Sequence, residues 1–306
     1  MTPLSTRLPQ GLARTTLEVH GEAGRVWLDR FPELLARCAA RWSLRLEAPY
    51  APLTYHYVTR AWRADGSPVV LKLGVPHPEL TGEIEALRLY AGAGAVRLLG
   101  AEPDDGALLL ERLEPGTTLL DLPDEEATTL AAGVMRRLRR PLPSGHPFPA
   151  VEQWAEGLAR LRHRFGGGTG PLPSGLVARA ESHFRELLAT SGEPVLLHAD
   201  LHHWNVLSAS GEWRAIDPKG LAGEAEYETG AWLRNPLPGL LGAPDLPALL
   251  RRRIEIFHAE LGFDPQRVRA WAVAQAVLSA WWSVEDHGSG WEPAVAVAEG
   301  LAAIGG

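Results

Sequence analysis

The residues of this chain best suited to chemistry lie in one short stretch, LLHADLHHWNVL, at positions 196–207. Within eight positions it holds three histidines, an aspartate and an asparagine, which are His198, Asp200, His202, His203 and Asn205. Histidine and carboxylate side chains can bind zinc, which would make the stretch the centre of a metal-dependent hydrolase. Alternatively, Asp200 and Asn205 have the D-x-x-x-x-N spacing of a kinase catalytic loop.

The sequence after this stretch favours the second interpretation. The short runs VL and WRAI flank the turn-type residues SASGE, a pattern that predicts a β-hairpin. Antiparallel pairing would bring Asn205, at the start of the first strand, close to Asp217, at the end of the second. Amide and carboxylate oxygens are ligands that suit magnesium together with phosphate oxygens. We therefore predict Asp200 as the catalytic base and Asn205 and Asp217 as magnesium ligands.

A kinase also needs a lysine on a strand and a helical glutamate to orient it. Lys72 stands inside the apolar run VVLKLGV, where burying its charge is costly unless it is paired. Glu83, early on the next predicted helix, is a suitable partner. Alone, Lys72 could extend from a strand edge and Glu83 could be a surface residue. The order of these two residues before the 196–217 region favours the kinase interpretation.

The rest of the chain predicts an α+β fold with two lobes. In the first part we expect a helix over 30–42, three strands, a second helix that Gly92 closes, and two more strands. The apparent strands are SLRLEA, TYHYVTRAW, PVVLKLGV, AVRLLGAEP and GALLLERL. The segment EPGTT, residues 114–118, then breaks the pattern. Residues 111–116 are predicted to be the hinge between an N-lobe, 1–113, and a C-lobe, 114–306.

Helical patterns dominate the second part. One predicted helix begins at Pro123 and Asp124, and a long one covers about 265–285. The Gly-rich segment 166–175 lacks the Lys-Ser/Thr of a phosphate-binding loop, and we interpret it as a connection between helices.

Composition narrows the class of function. A length of 306 residues allows two modest domains, and a net charge of −7 argues against nucleic-acid binding while suiting a cationic small molecule. The single cysteine, Cys38, excludes an internal disulfide. No apolar run approaches the roughly 20 residues of a membrane helix. The first residues, MTPLSTRLPQGLART, lack the apolar centre of a signal peptide, so we expect a cytoplasmic protein.

Two motifs, LLHADLHHWNVL and AIDPKGLAGEAEYETGAWLRNP, resemble the aminoglycoside/hydroxyurea phosphotransferase family, which includes streptomycin 6-kinases. The resemblance extends from about residue 40 to the end of the chain. It implies a protein-kinase-like fold and the transfer of the γ-phosphate of ATP, with Mg²⁺, to a hydroxyl of a small molecule. Streptomycin, a related antibiotic or hydroxyurea is the expected acceptor. A kinase for an ordinary metabolite with the same fold is the alternative.

The resemblance also implies roles for residues outside the catalytic loop. Lys72, with Glu83 behind it, would bind the phosphates of ATP, and backbone groups from Glu111 to Leu113 would hold the adenine. Thr54, in the turn YAPLTYHY, would cover the phosphates in place of a G-x-G-x-x-G loop. The missing glycine motif argues against a protein kinase. So does the short distance from Asp217 to the next helical pattern, which leaves no room for the activation segment of a protein kinase.

Three departures from the family pattern concern the support of the catalytic loop. The usual His-Gly-Asp reads His198-Ala199-Asp200, and Glu224 and Glu228 stand where aspartates are common.

The acceptor is predicted to bind near the sequence WWSVEDHGSGWE. Carboxylates beside aromatic faces suit a cationic, sugar-like ligand, which favours Trp282, Glu285 and Asp286 as contacts. In the alternative interpretation, the tryptophans belong to the core and the acids to a solvated helix end.

Overall fold

The structure is a computed structural model that describes residues 8–304. The first seven residues, part of the stretch considered for a signal peptide, lie outside the described range. The chain divides into two compact units, Met1–Gly116 and Thr117–Gly306. The predicted boundary lies between residues 113 and 114.

From residue 8 onward, the first unit contains two α-helices and a sheet of five strands. Along the chain these are α1 (Gln10–Arg41), β1 (Arg45–Pro49), β2 (Tyr57–Trp62), β3 (Pro68–Leu73), α2 (Pro78–Tyr90), β4 (Leu98–Glu102) and β5 (Ala107–Glu111). The strands are antiparallel in the order β1-β2-β3-β5-β4. The predicted order of helices and strands in this part of the chain is confirmed.

The core of the first unit lies between α1 and the sheet. Phe31 of α1 packs edge-on against Tyr57 of β2, with ring centroids 4.9 Å apart, and Leu71 and Leu73 of β3 belong to the same cluster. Cys38 is buried in it, and desolvation raises the pKa of its thiol to about 11. The cysteine is therefore a protonated core residue at neutral pH.

Two helix ends differ from the prediction. The first helix begins at Gln10 rather than near residue 30, and it is kinked at Gly21, which has a φ of 52°. Its upstream half buries one leucine, Leu12, together with the smaller Thr16 and Gly24, so the apolar periodicity there is weak. The second helix ends at Tyr90 and is closed by Ala91 rather than by Gly92: Ala91 is left-handed and its N–H bonds to Leu87 O.

The second unit is mostly helical, as predicted. From Pro115 onward the elements are β6 (Pro115–Thr118), α3 (Asp124–Leu138), β7 (Arg140–Pro141), α4 (Val151–Arg164), α5 (Ser174–Ala189), β8 (Val195–Leu197), β9 (Val206–Ala209), β10 (Glu212–Ala215), β11 (Leu221–Gly223), α6 (Thr229–Arg234), α7 (Leu246–Leu261), α8 (Pro265–His287) and α9 (Glu292–Ala303). Two small sheets have the orders β10-β9-β6 and β11-β8-β7. Part of the segment expected to break the strand pattern, from Pro115 on, thus forms a short strand.

Helix α8 is the centre of the second unit's core. Trp271, Leu278 and Trp281 are each at most 1% exposed. Gly157 of α4 lets α8 approach closely, because a Cβ there would lie 2.6 Å from Leu278 Cδ1. The Gly-rich segment connects α4 to α5, as predicted. None of the helices within residues 8–304 is both long and apolar enough to span a membrane.

Candidate active site

The lysine and glutamate predicted to act together form a buried ion pair in the first unit. Lys72 Nζ lies 2.8 and 2.7 Å from the two carboxylate oxygens of Glu83. Both side chains are almost fully excluded from water, at 2% and 6% exposure. Strand β3 supplies the lysine opposite Leu108 of β5, and α2 supplies the glutamate. The pairing offsets the cost of burying the lysine charge. The alternative, in which Lys72 extends from a strand edge to solvent, does not apply.

The hairpin that was predicted to bring Asn205 and Asp217 together is present. Strands β9 and β10 pair antiparallel, with Val206 opposite Ala215. Ser210 and Gly211 connect them with φ values of 47° and 87°, as in a type I′ turn. At the open end, the N–H of Ile216 donates to Asn205 O over 2.9 Å. Asp217 is the next residue, so the hairpin holds the two predicted metal ligands at its open end.

Glu228 supports the backbone of the predicted catalytic loop. Its carboxylate accepts hydrogen bonds from the backbone N–H groups of His198, at 2.6 Å, and Ala199, at 2.9 Å. Ala199 has a φ of 65°, an unfavourable conformation for a residue with a Cβ, and these bonds help to hold it. Burial raises the pKa of Glu228 to about 7, although the two backbone donors act in the opposite direction.

His198 is a structural residue of the same loop. Its Nε2 lies 2.7 Å from Ile216 O, and its Nδ1 accepts the N–H of Asp200 at 3.3 Å. The ring is fully buried, and desolvation lowers its pKa to about 4. A neutral ring with both nitrogens engaged by backbone groups has no lone pair for zinc.

The two following histidines are also neutral near pH 7. His203 stacks on Trp232, with ring centroids 3.8 Å apart, and desolvation lowers its pKa to about 3. Desolvation likewise lowers the pKa of His202, whose Nε2 lies 3.8 Å from Asp200 Oδ1. Within residues 8–304, no group of three or more histidine, cysteine or acidic side chains is placed to hold a metal ion. The hydrolase interpretation therefore loses its ligand set.

The side-chain oxygens of Asp200 and Asn205 are available to contact a bound ligand or metal ion. Asn205 Nδ2 donates to the backbone oxygen of Asp200 over 3.0 Å, which turns the amide oxygen away from that carbonyl. The side chain of Asp200 is 30% exposed. The amide oxygen of Asn205 is thus available as a metal ligand. Together with the carboxylate of Asp217 it is the kind of oxygen ligand that magnesium prefers.

The remaining predicted nucleotide contacts lie on the first unit. Glu111 ends β5, where its N–H bonds to Arg97 O and its carboxylate accepts the N–H of Arg97. The backbone of Leu113 forms no turn or loop hydrogen bond with other described residues. Thr54 is exposed in the bend between β1 and β2. Their roles stay predictions.

The predicted acceptor residues lie at the C-terminal end of α8. Trp282 packs edge-on against Trp154 of α4, with centroids 5.2 Å apart. Glu285 forms a two-pronged ion pair with Arg160, with contacts of 2.9 and 3.0 Å, while Asp286 is exposed. Glu285 thus already has a cationic partner in the protein.

Sequence reasoning missed the role of Glu228. The sequence indicated only that a glutamate stands where related proteins commonly have an aspartate. A carboxylate in the otherwise uncharged run YETGAW, thirty residues after the loop, was the available signal. Its contact with the backbone of His198 depends on how α6 packs, which no local pattern encodes.

Comparison with characterised proteins agrees with this geometry. A sequence profile of the family described as aminoglycoside/hydroxyurea antibiotic resistance kinase matches residues 46–287. Streptomycin 6-kinase from Streptomyces griseus is 33% identical, over 96% of this chain and 97% of its own length. Hydroxyurea phosphotransferase from Kitasatospora aureofaciens is 34% identical, over 91% of this chain and 81% of its own.

Solved structures share the fold. A ternary complex of aminoglycoside phosphotransferase APH(4)-Ia with ADP and hygromycin B superposes with a TM-score of 0.62 at 19% identity, covering 88% of this chain and 96% of that one. A choline/ethanolamine kinase family protein from Mesorhizobium loti gives 0.63 at 17% identity, with coverages of 89% and 94%. The predicted protein-kinase-like α+β fold is confirmed. This chain belongs to the aminoglycoside/hydroxyurea antibiotic resistance kinase family.

Proposed function

We propose that this protein transfers the γ-phosphoryl group of ATP, with Mg²⁺, to a hydroxyl group of an aminoglycoside antibiotic, with streptomycin as the first candidate. The observation that carries the proposal is the complete set of side chains for this chemistry. A buried Lys72–Glu83 pair in one unit accompanies Asp200, Asn205 and Asp217 around one hairpin in the other. The family to which the chain belongs supplies the antibiotic class.

In the proposed reaction the first unit binds the nucleotide. Glu83 fixes the ammonium group of Lys72, so the lysine can donate to phosphate oxygens without first losing side-chain freedom. Adenine offers one donor and one acceptor on its edge. The backbone carbonyl of Glu111 and the N–H of Leu113 are proposed to pair with them, and Thr54 to cover the phosphates.

In the second unit, Asn205 and Asp217 are proposed to hold Mg²⁺. The bound ion would neutralise charge on the phosphates. The protein's own contribution is to fix these two ligands through the β9–β10 register and the bond between Ile216 N–H and Asn205 O.

Asp200 is proposed to accept the proton of the attacking hydroxyl. Its backbone is held on both sides, by His198 Nδ1 and by Asn205 Nδ2. Its carboxylate accepts no hydrogen bond from any side chain or backbone group in the described part of the chain. A positioned base with an uncommitted carboxylate is what proton transfer to a bound acceptor requires.

The acceptor is proposed to be cationic and to contact Trp282, Glu285 and Asp286. Asp286 is exposed, and the aromatic pair of Trp282 with Trp154 provides a rigid apolar wall beside it. The net charge of −7 would attract a polycation such as streptomycin.

The test is a phosphotransfer assay with purified protein, MgATP and a panel of acceptors: streptomycin, hygromycin B, hydroxyurea and choline. We expect ADP release that depends on streptomycin, together with a product carrying one added phosphoryl group, identified by mass and ³¹P spectra. Matched reactions with EDTA and with Asp200→Asn protein should give neither. ADP release that no acceptor stimulates would refute the proposal, and transfer to choline alone would support the metabolite-kinase alternative.

A further inference from the structure

Trp204 is an exposed tryptophan within the predicted catalytic loop, and the proposed reaction gives it no role. It is 40% exposed, whereas the adjacent His203 and Asn205 are 3% and 9% exposed. A tryptophan stabilises a fold mainly through the large apolar area that it removes from water, and much of that area stays in solvent here. The contribution of Trp204 to the core is therefore small, and a large aromatic surface is left open to a ligand.

The imidazole of His202 connects Trp204 to the proposed base. The indole packs perpendicular to this imidazole, with ring centroids 5.5 Å apart and an interplanar angle of 82°. The same imidazole has its Nε2 3.8 Å from Asp200 Oδ1 and 3.3 Å from Asn205 Nδ2. A single ring thus contacts both the indole and the carboxylate, so Trp204 lies beside the place where the acceptor hydroxyl must bind.

The backbone on both sides of Trp204 is anchored. His203–Asn205 forms a single 3-10 turn, in which the N–H of Asn205 donates to His202 O over 2.9 Å. The ring of His203 stacks on Trp232 of α6, with centroids 3.8 Å apart. A tryptophan on a fixed backbone has only two rotatable side-chain bonds, so it can contact a ligand at a small cost in conformational entropy.

The chemistry of the indole distinguishes between the two substrates of the proposed reaction. The acceptor hydroxyl must come within hydrogen-bonding distance of the Asp200 carboxylate, so the rest of the acceptor lies beside that group. The face of an indole ring carries negative charge density, which attracts ammonium and guanidinium groups and repels phosphate oxygens. Trp204 therefore suits a cationic acceptor and does not suit the phosphates of the nucleotide.

We propose that Trp204 packs its indole against a guanidinium or ammonium group of the acceptor and so favours cationic, sugar-like molecules. This inference rests on the proposed function and adds to it a contact on the catalytic loop, separate from the contacts proposed at the end of α8. The contact exists before, during and after the transfer. It therefore strengthens acceptor binding and leaves the chemical step unchanged, which makes Trp204 a specificity-determining residue.

Three substitutions separate recognition of charge from apolar bulk. Trp204→Phe keeps an aromatic face, Trp204→Leu keeps only bulk, and Trp204→Lys introduces a charge of the same sign as the acceptor. The matched control is Trp213→Leu, because Trp213 is a half-buried tryptophan of β10 in the same hairpin and has no proposed role. For each protein we measure the melting temperature, kcat, and the KM of MgATP and of the cationic acceptor that the wild type uses best, with streptomycin expected.

The expected effect is confined to the acceptor. Its KM should rise about 2–30-fold in Trp204→Leu, as for the loss of one cation–π contact, with a smaller rise in Trp204→Phe and a larger one in Trp204→Lys. The kcat, the KM of MgATP and the melting temperature should stay near the wild-type values, and the control should match the wild type throughout. Calorimetric titration of the acceptor in the presence of AMP-PNP, where no turnover occurs, should give the same order of affinities.

Other results would overturn the inference. One is an acceptor KM in Trp204→Leu equal to that of the wild type. Equal KM values in the three variants would mean that the ring does not recognise charge. A raised KM of MgATP alone would place the indole at the nucleotide, and a joint fall of kcat and melting temperature would mean that Trp204 only supports the loop.

Failure of the proposed function gives a different pattern. If the wild type transfers phosphate to no acceptor in the panel, the proposed function fails and this inference fails with it. Normal wild-type transfer to a cationic acceptor with an unaffected Trp204→Leu would refute the inference alone. Wild-type transfer to hydroxyurea and to none of the cationic acceptors would also refute it, while the phosphotransferase chemistry would stand.

Discussion

The two units position the side chains proposed for function in opposite ways. In the first, Lys72 and Glu83 satisfy each other's charges in a buried ion pair. In the second, the charged side chain of Asp200 is 30% exposed, and the structure holds its backbone instead. There the buried groups are His198, which bonds to Ile216 O and to Asp200 N–H, and Glu228, which accepts two loop N–H groups.

In the first unit, the same residues are therefore expected to determine both the stability of the fold and the proposed chemistry. In the second unit, different residues are expected to determine the two. Removing one member of a buried ion pair leaves an uncompensated charge, so the lysine proposed to bind phosphate is also a structural residue. The aspartate proposed as the base can change without such a cost, because the groups that support the loop are other residues. Four experiments with substituted proteins test this contrast.

Asp200→Asn should have the largest effect. We expect turnover to fall by about 10³-fold, within the range for a lost general base, while unfolding and MgATP affinity change little. Steady-state kinetics, urea unfolding and calorimetry measure the three quantities. A variant that lost stability along with activity would contradict the separation proposed for the second unit.

Lys72→Met should lower the free energy of unfolding by roughly 3–5 kcal/mol, because the buried charge of Glu83 would lose its lysine partner. Urea unfolding measures the loss, and calorimetry should show that MgATP binding is also lost. The double variant Lys72→Met/Glu83→Leu is the matched control. It should recover most of the stability and none of the MgATP affinity, and recovered affinity would show that Lys72 has no contact with the nucleotide.

Glu228→Gln should alter the pH dependence of stability. Burial raises the pKa of Glu228 from the ordinary 4.5 to about 7, so the folded protein retains a proton that the unfolded chain has lost. Its stabilising contribution is fully present below pH 4.5 and is lost as the pH rises through about 7. Glutamine cannot titrate, so the wild type should lose stability relative to Glu228→Gln over this interval.

Urea unfolding of both proteins at a series of pH values measures the effect, with the surface variant Glu152→Gln as control. The substitution itself should cost about 1–3 kcal/mol, because the amide nitrogen that replaces one oxygen of Glu228 cannot accept a loop N–H group. A constant stability difference from pH 4.5 to 7 would mean that Glu228 does not bind its proton as described.

The smallest effect is expected for Glu285→Gln combined with Asp286→Asn. The exposed ion pair with Arg160 contributes at most about 1 kcal/mol, so stability should hardly change. The KM for streptomycin should rise several-fold in the phosphotransfer assay, whereas Glu299→Gln, an exposed acid on α9, should leave it unchanged. An unchanged KM in the double variant would place the acceptor away from the end of α8.

Local patterns predicted most of the elements that carry the candidate site. The hairpin followed from its turn residues, and β3 and α2 followed from alternation and helical spacing. The upstream half of α1 was missed because a kink at Gly21 and small buried residues weaken its periodicity. The strand at Pro115 was missed because its partner, in the sheet with β9, is far along the chain.

The sequence alone determined the chemical set, because the types and order of Lys72, Glu83, Asp200, Asn205 and Asp217 are properties of the chain. Only the tertiary structure decided the states of the groups around them. Whether a histidine binds metal or braces a loop, and whether Glu228 is protonated, depends on desolvation and on partners distant in sequence. Those environments arise when β8, α6 and the hairpin pack together, and no single segment contains them.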